Sequence, residues 1–213
     1  EGLTVVFGRG EQTVRQLQQI DPAQMYQRSG NVVSSLFGAP KIVWIRDHQP
    51  ELFAQTYKFL NWADLVAYLL GAEPTTDYSL ANRWLLLDVR GERWSAETLA
   101  ELGLPLEKLP AVAHAGTAIG EVSPEMAGAL GLPRGVKIVL GCHDQCATAT
   151  GAGVLKPGMA MYGIGTFISV APAYSAIPDT QQMLAIRLGV EHHALRDLYV
   201  SLYYNLTGGA LLK

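Results

Sequence analysis

The sequence predicts an α/β fold. Short apolar, strand-like runs alternate with stretches whose apolar residues recur at helical spacing, and residues that start and stop helices punctuate those stretches. No internal repeat or low-complexity linker interrupts the alternation. Taken in order, Leu3 to Phe7 reads as a strand with no polar arm before it. Glu11 to Ile20 sets Val14, Leu17 and Ile20 at helical spacing, and Asp21-Pro22 then reads as an N-cap followed by proline at the first helical position, opening a helix toward Gly30. Lys41 to Asp47 gathers Ile42, Trp44 and Ile45, with Trp44 read as a core aromatic. Phe59 to Leu70 is apolar at helical spacing, with Gly71 as its stop. Asp77 opens a helical stretch through Trp84 and reads there as an N-cap; Ser95 caps a helix ending at Gly103. Ser123-Pro124-Glu125 starts another ending at Gly131, with an acid well placed in its first turn.

Composition narrows the class. A chain of 213 residues is one large domain or two small ones, and 49% hydrophobic with 16% charged residues is enough to build a sizeable core. A net charge of -3 supplies no basic field for nucleic acid. No apolar run approaches the ~20 residues that span a bilayer, and no signal peptide is visible. The expectation is a soluble, cytoplasmic protein without a nucleic-acid or membrane partner, with a homodimer left open. Cys142 and Cys146 flank His143 and Asp144, but no second Cys/His cluster completes a metal set. They read as two small buried thiols, and no metal site is assigned. Glu191-His192-His193 reads as exposed polar surface, because adjacent histidines on a strand point to opposite faces and do not share one ligand.

The chemistry concentrates between Lys137 and Val170. Ile138-Val139-Leu140 is a strand stopped by Gly141, and Asp144 heads an Ala/Gly-rich helical segment, so one carboxylate stands at a strand-to-helix turn. From residue type and position alone, Asp144 reads first as a helix cap. Met159 to Val170 is a pair of short strands broken by Gly163-Ile164-Gly165-Thr166, where glycines permit close backbone approach and amides with a hydroxyl can face an anion. A nucleotide-binding dehydrogenase turn is a poor match, since Gly163-Ile164-Gly165 lacks the third glycine and the acidic partner ~20 residues later.

The pattern Gly141, Asp144, Ala147, Gly151, Gly153, followed by Gly163, Gly165, Thr166, resembles that of the FGGY carbohydrate kinases. Lys41, Trp44, Asp47 and His48 are similar to the family's K-x-x-W segment, and Asp77-x-Ser79-x-Ala81, Asp88, Trp94, Leu109-Pro110, Gly120 and Gly131-Leu132 fall in the family's order. The resemblance runs over roughly residues 31 to 170. It implies a ribonuclease-H-like (actin-like ATPase) two-domain kinase fold that closes over ATP and a sugar or polyol. Residues 1–154 are then the later part of the sugar-binding N-terminal domain and 155–213 the start of the nucleotide-binding C-terminal domain, with Val154 to Gly158 as crossover and Pro157-Gly158 as hinge.

The resemblance implies ATP and Mg²⁺ as cofactors and Asp144 as the base that takes the acceptor's hydroxyl proton. Gln145, with donor and acceptor groups, is expected to read a substrate hydroxyl. His143 either faces the polyol or packs against the strand end. Gly163, Gly165 and Thr166 form the expected phosphate side, although Phe167 stands where relatives carry Ser or Gly. Gly151 and Gly153 are expected to let the helix lie close to a neighbouring backbone. Phe7 to Glu11 matches the family's W-x-D-x-R substrate segment poorly, so no contact is assigned there. The family's D-x-G-T loop would precede residue 1 and its adenine-binding part would follow residue 213, and Thr207 to Lys213 resembles a helix beginning. The chain is therefore expected to be an internal segment of a longer enzyme, inactive alone. A non-catalytic descendant that binds a sugar or partner is the alternative.

Overall fold

The computed structural model describes residues 11–18, 20–165 and 168–205. The Leu3 to Phe7 strand, the Phe7 to Gly10 stretch, Thr166, Phe167 and the helix start at Thr207 lie outside the described residues. Within them the chain is α/β, as its alternation predicts.

The helical part comes first. Helices Glu11–Leu17, Pro22–Ser29, Gly38–His48 and Ala96–Glu101 are joined by a core built on Leu17, Met25, Ile42, Trp84, Leu86 and Leu99. The starts and stops act as their chemistry requires. Asp21 accepts from the Ala23 amide at 2.9 Å, and the helix it starts ends at Gly30 in the left-handed region, φ 72°. Ser95 and Ser123 accept from the amides of Thr98 and Met126 in the same way. Trp84 and Trp94 lie 5.4 Å apart in this core, and each buried indole N–H has a partner: Asn61 Oδ1 at 2.9 Å and the Pro110 carbonyl at 2.7 Å. Three two-stranded pieces border the core: Thr75–Asp77 runs parallel to Ala111–Ala113, while Leu87–Asp88 with Arg93–Trp94 and Ala118–Glu121 with Lys137–Val139 are antiparallel.

The later part is a five-stranded antiparallel sheet around the long strand Ile168–Tyr174. Ala160–Ile164 pairs along one edge of it. On the other edge Tyr203–Asn205 meets residues 168–170 and Tyr199–Val200 meets residues 173–174, with Glu191–His192 beyond. Helix Asp144–Gly151 packs on this sheet through Cys146 and Ala149, against Met161, Ala171, Ala173 and Val200. The segment that follows the helix thus supplies the surface the helix rests on.

Several expectations need correction. The helix expected from Phe59 starts at Trp62, because Asn61 and Asp64 form a reciprocal capping box that fixes the start three residues later. The helix from Asp77 ends at Asn82, two residues before Trp84. Trp44 is half-buried and stacks on His48, ring centroids 4.7 Å apart. A Cβ at Gly151 or Gly153 would meet nothing within 4 Å, so neither glycine marks a close approach; Gly153 is instead left-handed, φ 87°. Glu191, His192 and His193 are buried rather than exposed. His192 donates its amide to Asn82 Oδ1 at 3.0 Å and His193 donates to the Leu198 carbonyl at 3.0 Å, so this polar stretch closes backbone bonds inside the protein.

Candidate active site

Strand Lys137–Val139 leads through a short turn into helix Asp144–Gly151. The N-cap is His143, which makes no side-chain capping bond, and Asp144 is the first helical residue. Asp144 is therefore not spent as a cap. Its side chain is 85% exposed, and Oδ1 accepts the Gln145 amide at 2.7 Å.

The turn is tied back to the helical part. The His143 amide donates to Ser79 Oγ at 2.8 Å, and that hydroxyl donates to Asp77 Oδ2 at 2.7 Å. Asp77 also accepts from the amides of Ser79 and Leu80, so it is an N-cap, as its position predicts, and its caps fix the anchor for His143. Burial pushes the Asp77 carboxyl above the usual range, opposed by these bonds and by His143. Burial pushes the His143 imidazole down, against the pull of Glu191 and with the push of Arg83, so the ring is neutral at pH 7. Its Nδ1 lies 3.4 Å from Asp144 Oδ1 but is not aligned as a hydrogen bond, and it has no such partner among the described residues.

A cleft of about 420 Å³ opens beside this turn. Arg83, His143 and Gln145 line it together with Ser169, Val170 and Tyr203. His143 bonds Ser79 through its amide and is itself one of the cleft's lining residues. Asp144 is not a lining residue; its carboxylate stands in solvent between two residues that are. Gly163 pairs with Ser169 across the hairpin, and a Cβ there would come within 2.6 Å of Ser169 Oγ, which explains the glycine by close approach. The break expected from Gly163 begins two residues later, at Gly165, since Gly163 and Ile164 still pair with Ser169 and Ile168; Gly165 is an exposed bend, and Thr166 is outside the described residues.

Arg83 and Ser169 carry no signal in the sequence, and Glu191 reads there only as exposed polar surface. Arg83 Nη1 donates to Glu191 Oε1 at 2.5 Å across 108 residues of chain. No periodicity signals such a pair; the only local hint is that Glu191 directly follows the apolar Leu188-Gly189-Val190. Cys146 is fully buried and burial pushes its thiol well above the usual range, while Cys142, half-buried, is pushed the same way. Among the described residues no group of three His, Cys, Asp or Glu is arranged to hold a metal ion, and no helix is long and apolar enough to cross a membrane.

The family model for the N-terminal domain of the FGGY family of carbohydrate kinases matches residues 6–151. The chain is 32% identical to a xylulose kinase of Bacillus subtilis over 136 residues, 64% of this chain and 27% of that protein. It is 33% identical to a glycerol kinase of Nitratidesulfovibrio vulgaris over 150 residues, 67% of this chain and 29% of that one. Among solved structures, the xylulose kinase from Rhodospirillum rubrum superposes with a TM-score of 0.87 at 26% identity, covering 96% of this chain and 41% of that one. The chain therefore spans about three-tenths of the length of these curated relatives.

Proposed function

This chain belongs to the FGGY family of carbohydrate kinases, with its actin-like ATPase fold, and from that premise we propose that the whole protein phosphorylates a hydroxyl of a sugar or polyol with ATP. On this reading Asp144 accepts the proton of the attacking hydroxyl, and Gln145 and His143 hold the acceptor. The observation that supports it most is the exposed Asp144 carboxylate at the head of a helix, flanked by two side chains that line one cleft. A base must reach the hydroxyl proton, and an exposed, uncommitted carboxylate beside a polar cleft meets that requirement. A neutral His143 has only Nε2 to turn toward a hydroxyl group, as donor or acceptor, because its Nδ1 is buried.

Ser169 and Val170 of the lining belong to the hairpin that carries Gly163 and Gly165, and on this proposal its turn amides and Thr166 serve the phosphates of ATP. ATP supplies the phosphoryl group; what these residues contribute is alignment and hydrogen bonding. Mg²⁺ is held by few protein carboxylates together with waters and the nucleotide's phosphates, and no residue among those described is assigned to it. The division at residue 154, with 1–154 on the sugar side and 155–213 on the nucleotide side, is part of the same proposal. Acceptor-dependent ADP release by the full-length protein, offered xylulose and glycerol in turn, tests it. Turnover on at least one acceptor is expected, and ADP release that is the same with and without every sugar and polyol tried would overturn it.

A further inference from the structure

The motifs leave Arg83 unused, yet it forms part of the cleft wall. It follows helix Tyr78–Asn82, and its side chain is 26% exposed. The guanidinium lies 4.6 Å from the Phe37 ring centroid and is held at one point by Glu191, which is 2% exposed. A ring on one face and a carboxylate at one corner fix its orientation before anything binds, which lowers the ordering cost of a further hydrogen bond.

The contact with Glu191 is a single bond and not a fork. Glu191 Oε2 has no hydrogen-bond partner among the described residues, and no other side chain or carbonyl among them accepts from Arg83. The guanidinium has five N–H donors, so four are left over. Pairing with Glu191 cancels the charge, and the fixed fork that remains suits the oxygens of a neutral molecule. Gln145 and Ser169 line the same cleft and complete a polar surface for hydroxyl groups.

We infer that Arg83 binds the acceptor, donating to one of its oxygens in the cleft it shares with Gln145, and that Glu191 is a positioning residue which aims it. This rests on the kinase reading above. Arg83 and Glu191 lie on opposite sides of the proposed division at residue 154, so acceptor binding draws on both parts of the chain.

The test uses the full-length protein with xylulose and glycerol as acceptor probes. Arg83→Lys keeps the charge and removes the fork; Glu191→Gln keeps the shape and removes the aim. The double variant Arg83→Met with Glu191→Met leaves no unpaired buried charge and keeps the inference testable if a single variant does not fold. Thermal unfolding identifies the folded variants. Arg83→Lys and the double variant are expected to raise the acceptor KM about 10- to 100-fold, the size of a lost hydrogen bond to a charged group, with the ATP KM within about twofold. Glu191→Gln is expected to move the acceptor KM in the same direction by less. An acceptor KM within about twofold of wild type in the folded variants, or an equal rise in both KM values, overturns the inference. If wild-type protein turns over no acceptor, the kinase reading itself fails and takes the inference with it. Wild-type turnover with unchanged variants overturns the inference alone.

Discussion

Replacing Asp144 with Asn in the full-length protein separates proton acceptance from the residue's other roles. The side chain is 85% exposed, and the one hydrogen bond it accepts among the described residues, from the Gln145 amide at 2.7 Å, can be accepted equally by an amide oxygen. What the fold loses is a negative charge in the first turn of a helix, which costs no more than about 1 kcal/mol. Loss of a positioned base costs ~10²–10⁴ in rate, or about 2.7–5.4 kcal/mol of barrier. The catalytic effect therefore exceeds the structural one several-fold. Coupled ADP release at saturating substrates should fall by at least ~10², while acceptor affinity by calorimetry stays within about tenfold because shape and hydrogen bonding persist. Turnover within about tenfold of wild type would refute the assignment of Asp144 as base.

Thr166→Val removes a hydroxyl at nearly constant volume. It should raise the ATP KM or lower kcat while leaving acceptor binding unchanged, and an unaltered ATP titration would make Thr166 structural. The isolated 213-residue chain is expected to give no acceptor-dependent ADP release, since the curated relatives it matches are roughly 2.4 times its length; turnover comparable to the full-length protein would contradict this. Asp64, 2% exposed, has its carboxyl pushed by burial to about 6 from 3.8 despite bonds from Asn61 and Thr76. A carboxyl raised in the folded state favours folding below pH 3.8 and loses that advantage as pH rises through about 6. The stability of wild type relative to Asp64→Asn should therefore fall by about 3 kcal/mol between pH 3.8 and 7, and a difference independent of pH in denaturant titrations would refute it.

Helix boundaries were legible where the signal is local. Asp21-Pro22, Ser95 and Ser123-Pro124 start helices with their own side chains, and Gly30, Gly71 and Gly131 stop them in the left-handed region, so each end is decided within a few residues. The start at Trp62 was misread because apolar periodicity from Phe59 is a weaker determinant than the Asn61–Asp64 box. The place of Asp144 at the head of its helix was legible from the strand-to-helix turn and the family pattern. Arg83 and Glu191 were not, since a pair 108 residues apart leaves no trace in periodicity or spacing. The burial of His192 and His193 escaped notice for a related reason. Their partners, Asn82 and Leu198, come from another element and a later turn, and only tertiary packing satisfies buried polar groups in that way.

The most direct measurement is a crystal structure of the full-length protein with its acceptor and a non-hydrolysable ATP analogue. An acceptor hydroxyl is expected within ~2.6–3.2 Å of the Asp144 carboxylate, with the sugar or polyol between Gln145 and Arg83. The analogue's phosphates should lie against the hairpin tip at Gly163 to Thr166. An acceptor bound away from Asp144, for example in the separate cleft lined by Arg90, Arg93 and Trp94, would contradict it.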